Sequence, residues 1–184
     1  MKPIFTIHAG EYLVGDEIER MSKNLRVWVP SKDTGIDLLV TDIHCKKTVS
    51  LQVKFSKDFL GNSIKTEATR NLKSGGWWQF EKSKIEMSPA DYWVLVLYQF
   101  QTRDYDFVVI KPSQLLSMYN ELAPGNKKVQ SYIWVTDEEQ PSCWEGRGLK
   151  KIDKINISNG KFRSKTRNLT KHLNNWTVLK KLMT

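Results

Sequence analysis

Residues 92–98 read Tyr-Trp-Val-Leu-Val-Leu-Tyr, an unbroken aliphatic and aromatic run bounded by Asp91 and Gln99. A strand on a half-solvated sheet alternates apolar and polar residues, whereas one without alternation is covered on both faces. The run is far too short to cross a bilayer, which takes about 20 residues. The chain must therefore build a sheet with a packed layer on each side. At 184 residues and 40% hydrophobic content it can fill one core of ordinary size, so a single globular domain over residues 1–184 is expected.

The flanking segments fit such layers. Residues 9–25 place Val14, Ile18, Met21 and Leu25 at helical spacing. Residues 26–30 read as a short strand ended by Pro30, and 36–41 as a second strand after the turn 31–35. Residues 48–55 alternate, with Val49, Leu51, Val53 and Phe55 on one side and Ser50, Gln52 and Lys54 on the other. A short polar loop joins these last two strands, which predicts a hairpin. Residues 57–76 read as a polar, glycine-punctuated excursion, 77–87 as helical, and 91–100 and 105–111 as paired strands. Pro112 opens a helix over 112–122, a late strand follows at 131–137, and a basic helix closes the chain at 168–182. The sum is an α/β or α+β fold around one mixed sheet. Its core spans about 9–136, with a basic helical extension over about 150–184.

The net charge of +9 and a pI near 9.5 suit a polyanionic partner. The excess is uneven: from Lys150 to Thr184 the single acid is Asp153, among recurring Lys and Arg. The start, MKPIFTIHAGEYLVG, lacks a signal-peptide core, so a cytoplasmic protein with no membrane segment is expected, and its two cysteines, Cys45 and Cys143, should be reduced. His8, His44 and His172 are scattered and form no zinc-spaced set, and no phosphate-binding G-x-x-x-x-G-K-[ST] loop occurs. The paired tryptophans of "GWW" (76–78) offer either core or a surface for stacking on bases.

One residue breaks the apolar pattern. Asp37 lies among Ile36, Leu38, Leu39 and Val40, where an unpaired buried carboxylate costs several kcal/mol. Gln52 and Lys54, two apart on the next strand, share a face about 7 Å apart along it. Lys54, a metal ion, or both could answer the Asp37 charge. Winding residues 9–25 at 100° per residue puts Glu11 about 20° from Ile18, inside the apolar stripe. A Glu, an Asp and an amide are hard oxygen donors suited to Mg²⁺ or Mn²⁺, and a nearby lysine can orient water or stabilise a phosphate.

Glu11 in the first helix, then "DTGIDLLV" (33–40) and "LQVK" (51–54), resembles the PD-(D/E)XK nuclease superfamily. The resemblance covers about residues 9–111 and implies a restriction-endonuclease-like core. It makes Glu11 the helix acid, Asp37 the metal-bridging acid and Lys54 the catalytic lysine. Gln52 stands where the superfamily usually has an acid, a Q-x-K form similar to that of Mrr-type restriction endonucleases and some resolvase-like nucleases. The carbonyl of Val53 would be a further ligand. The implied activity is Mg²⁺-dependent cleavage of DNA, with Mn²⁺ a substitute, in restriction or foreign-DNA defence. The alternatives are a junction- or structure-selective repair nuclease and a catalytically weak DNA-binding module. One site per chain and two DNA strands imply a homodimer.

Overall fold

The computed structural model describes residues 9–32, 34–56, 66–99 and 102–183. In chain order the elements are α1 (Ala9–Met21), β1 (Leu25–Trp28), β2 (Leu38–Asp42), β3 (Thr48–Ser56), β4 (Leu72–Glu81), α2 (Lys82–Glu86) and β5 (Tyr92–Gln99). There follow β6 (Asp104–Ile110), α3 (Pro112–Leu122), β7 (Lys128–Thr136), β8 (Cys143–Glu145), α4 (Lys151–Ser158), a 3₁₀ turn (Thr170–His172) and α5 (Thr177–Lys180). The architecture is α+β, with a central mixed sheet in the order β1-β2-β3-β5-β6. The β2–β3 and β5–β6 pairs are antiparallel, as expected of the hairpin and of the paired strands. Strands β3 and β5 run parallel, from Leu51 opposite Tyr92 to Ser56 opposite Leu97. A parallel pair needs a long crossover, and here it carries β4 and α2.

Strand β5 is buried on both faces, as its unbroken apolar run requires. On one side Val94 and Val96 join Leu51 and Val53 beneath Val14 and Ile18 of α1. The C-terminal segment closes that layer with Trp176, Leu179 and Leu182. On the other side Trp93, Leu95 and Leu97 pack against Trp78 and Phe80 of β4, Ile85 of α2, Leu115 and Tyr119 of α3, and Ile133 of β7. Each of these core side chains contributes about 1.5–3 kcal/mol on burial.

Four expectations are corrected. The sheet is not single: β4, β7 and β8 form a second, antiparallel sheet. The segment 77–87 is not one helix, because β4 runs to Glu81 and α2 occupies only Lys82–Glu86. Pairing with β7 from Leu72–Thr136 to Glu81–Lys128 overrides its local pattern, and Trp78 and Phe80 are buried in the core. That strand also takes residues 72–76 of the expected polar excursion, of which 57–65 lie outside the described residues. The helix expected over 168–182 is interrupted. Asn174 adopts a left-handed backbone (φ 48°), donates its N–H to Phe107 O (2.6 Å), and accepts the Phe107 N–H on Oδ1 (2.8 Å). These bonds cover the edge of β6 and leave only the 3₁₀ turn and α5 around them.

Among the described residues no helix is long and apolar enough to cross a membrane. Both cysteines are free, Cys45 exposed and Cys143 buried. Burial pushes the Cys143 thiol up, so it should stay unreactive. Native protein at mildly alkaline pH should release colour from one thiol with a disulfide reagent, and from two in denaturant. Two fast thiols in the native state would contradict this burial.

Candidate functional site

Gly35 turns the chain into β2 with φ 86°, a conformation that favours glycine. A Cβ there would also come within 3.2 Å of Pro89 Cδ and 3.9 Å of Gln52 Nε2. Two residues on, the Asp37 N–H donates to Leu51 O at 2.9 Å, and Asp37 Oδ2 accepts the Val53 N–H at 2.6 Å. The β2–β3 register begins with Leu38 opposite Leu51. The Asp37 side chain therefore extends the ladder by one bond, in place of a backbone acceptor. Its side-chain oxygen is met by that amide rather than by Lys54. A strand residue's N–H and C=O point to the same edge, so the Val53 carbonyl faces the side where Asp37 sits.

Gln52 and Lys54 alternate with Leu51 and Val53, which are buried on the α1 side. They lie opposite Trp93 and Leu95 of β5 and line a cleft of about 560 Å³ with Gly35. Lys54 Nζ is 5.5 Å from the centre of the Trp93 ring, a cation–π distance. Among the described residues Lys54 makes no ion pair, so its charge is open to an anion entering the cleft. The acid lining this cleft, Glu81, is bridged by Lys128 and Lys84, each at 3.4 Å. The Lys128 hydrogen bond, with the charge of Lys84, holds the Glu81 carboxyl below its usual range. Its charge is balanced at the rim, and the unpaired cation inside is Lys54.

Glu11 starts from the other layer. A Cβ on Gly10 would lie 2.7 Å from Phe55 Cβ and 3.3 Å from a Val53 methyl, so only glycine lets α1 approach β3 this closely. Glu11 follows, half-buried, at the helix start, where a carboxylate favours the dipole. Neither it nor Asp37 lines the Lys54 cleft. The structure thus joins Asp37 to Val53 and gathers Gln52 with Lys54, while Glu11 approaches from the α1 side. Among the described residues no group of three or more His, Cys, Asp or Glu gathers to hold a metal. The donors at the β2–β3 seam are one carboxylate, one amide and one carbonyl. All are hard oxygens, a set that fits Mg²⁺ better than zinc, but with little charge.

Sequence reasoning missed the remaining walls of the cleft: Trp78, Gln79 and Phe80 from β4, and Met87, Ser88 and Pro89 after α2. No local signal marks them, because the crossover and the β4–β7 pairing bring them to β3. Compared with family models, curated proteins and solved structures, the chain matches none.

Proposed function

We propose that the protein is a metal-dependent deoxyribonuclease of the PD-(D/E)XK type, cytoplasmic and homodimeric, acting in restriction or foreign-DNA defence. The observation that supports it best is Lys54, unpaired among the described residues and facing a cleft, one residue from an amide that anchors the Asp37 carboxylate. Asp37, the Gln52 amide and the Val53 carbonyl would hold Mg²⁺, and Glu11 would serve it only through water. Bound there, the ion would supply Lewis-acid stabilisation and an acidified water. Lys54 would orient the attacking water and meet the charge that develops on the phosphate. The Val53 N–H holds the Asp37 carboxylate in one orientation, so little reorganisation is needed when ligand arrives. The net charge of +9 draws DNA to the surface. Titration of Mg²⁺ against cleavage of plasmid, linear and branched DNA tests the reading, and an inert protein on all three removes it.

Gln52 is where the site departs from the common pattern, and its low charge favours a second reading, a DNA-binding module with lost chemistry. Gln52→Glu should tighten Mg²⁺ binding about tenfold or more by calorimetry, since a carboxylate attracts the ion far better than an amide. Tighter ground-state binding alone accelerates nothing, so the rate need not follow. An inert wild type with an active Gln52→Glu variant would establish the binding module instead.

A further inference from the structure

We propose, resting on the nuclease reading, that a DNA backbone leaving the Lys54 cleft crosses the start of α3 beside Lys111. It then runs on to Lys165 and Lys171 of the C-terminal segment. Three concavities mark this course. The Lys54 cleft and a second cavity of about 560 Å³ are both lined by Ser88, and the second is walled by Lys111, Pro112 and Ser113. One residue further along α3, Gln114 lines a third cavity of about 340 Å³, whose other wall carries Lys165, Asn168 and Lys171. The lysines at 111, 165 and 171 are exposed. Among the described residues neither they nor Lys54 enter an ion pair. Lys111 Nζ lies 5.9 Å from the centre of the Tyr92 ring, much as Lys54 lies over Trp93.

The acids along the course decide whether an anion can follow it. Glu81 is bridged by two lysines. Asp91 Oδ2 accepts the Ser50 N–H at 2.8 Å and the Ser50 hydroxyl at 2.7 Å, and Glu121 accepts the Thr166 hydroxyl at 2.7 Å. Glu86, exposed at the second cavity, is left to oppose an anion there. Beyond Asp153 the chain holds no acid as far as Thr184, so the far end of the course carries one sign of charge. Ser113, Gln114, Ser117 and Asn168 are exposed neutral groups of the kind that bond phosphate oxygens. Of the large exposed hydrophobics among the described residues, only Met87 lines the course. A lipid surface would find little to bury there, whereas a polyphosphate backbone needs only the cations and donors. The far wall is fixed before a ligand arrives. The Leu169 N–H donates to Cys143 O at 2.9 Å, the Cys143 N–H to Thr170 Oγ1 at 3.0 Å, and Leu173 pairs with Val108 of β6.

The test uses the full chain with EDTA present, so that no strand is cut. Fluorescence anisotropy of a short labelled duplex follows binding over a series of salt concentrations. Lys111→Gln, Lys165→Gln and Lys171→Gln together should weaken binding about tenfold or more at low salt. They should also flatten the salt dependence by roughly one phosphate contact per lysine. The same loss of charge at Lys23, Lys46 and Lys180, exposed lysines that line none of the three cavities, should cost about threefold or less, because distant charges are screened. Glu86→Gln should tighten binding severalfold, a gain that misfolding could not produce. Equal losses from the two triple variants would mean that net charge alone is at work, and would overturn the proposal. So would a Glu86→Gln protein that binds no tighter than wild type. Vesicles rich in phosphatidylserine that compete as well as DNA at equal phosphate would overturn it in favour of a lipid surface. Failure to bind any DNA overturns the nuclease reading as well. Binding with the expected pattern but without Mg²⁺-dependent cleavage upholds the course and removes only the chemistry.

Discussion

On the proposed nuclease reading, Asp37→Asn and Lys54→Ala should each lower Mg²⁺-dependent cleavage by about 10²–10³-fold, the usual loss when one charge-stabilising group leaves a reacting centre. Neither should unfold the protein. Asparagine keeps a side-chain oxygen that can accept the Val53 N–H, now 2.6 Å from Asp37 Oδ2, and gives up only the charge. Lys54 is half-buried over Trp93, and its loss removes a contact worth about 0.5–1 kcal/mol. The two variants should differ in metal binding. Calorimetry should find Mg²⁺ affinity largely lost in Asp37→Asn, because the seam's one carboxylate is gone. Lys54→Ala should bind the ion as well as wild type or slightly better, since a neighbouring positive charge is removed. A Lys54→Ala protein that cuts at the wild-type rate would show that the chemistry lies elsewhere.

Much of the central sheet was legible because its residues obey local rules. The run at 92–98 demanded cover on both faces, and β5 has it. The alternation of 48–55 separated Val53 from Lys54 correctly, and Pro112 marked the start of α3. The second sheet was hidden because its pairing is long-range. Leu72 to Glu81 becomes a strand only through β7, more than fifty residues away for several pairs. The candidate site was legible in part for the same reason. Asp37 lies one residue before β2, and Gln52 and Lys54 lie on β3, its partner strand, so spacing alone brings them near one another. Helical phase turned Glu11 inward, but not towards the Lys54 cleft. The layer that α1 joins is decided by Gly10 meeting Phe55 and Val53. Trp78, Gln79 and Met87 carried no signal, since the crossover that delivers them is a tertiary event.

Arg167→Met should cost about 3–5 kcal/mol at neutral pH, the usual penalty for stranding one member of a buried ion pair. For a chain of this length that is a fall in Tm of roughly 6–20 °C. Arg167 pairs with the Glu145 carboxylate, whose side chain is 2% exposed, and also donates to the carbonyls of Glu145 (3.3 Å) and Arg147 (2.9 Å). The contact holds the short strand β8 to the C-terminal segment, where the Glu145 N–H donates to Arg167 O at 3.0 Å. Burial already raises the Glu145 carboxyl above its usual range, while the Arg147 N–H and the Arg167 charge pull it back. Without Arg167 it should rise further. A raised folded-state pKa means that the folded protein keeps a proton the unfolded chain has lost, so stability falls as pH rises through that window. The deficit of Arg167→Met should therefore be full above the raised pKa and shrink as pH falls towards the ordinary glutamate range. Urea melts at pH 7.5 and pH 5 measure it. Adding Glu145→Gln to Arg167→Met should recover part of the loss at pH 7.5, because the neutral amide oxygen can still accept the Arg147 N–H that Glu145 Oε1 now accepts at 3.0 Å. A deficit under about 1 kcal/mol, the worth of an exposed pair, would mean that water reaches Glu145 and that the pair is not a buried one.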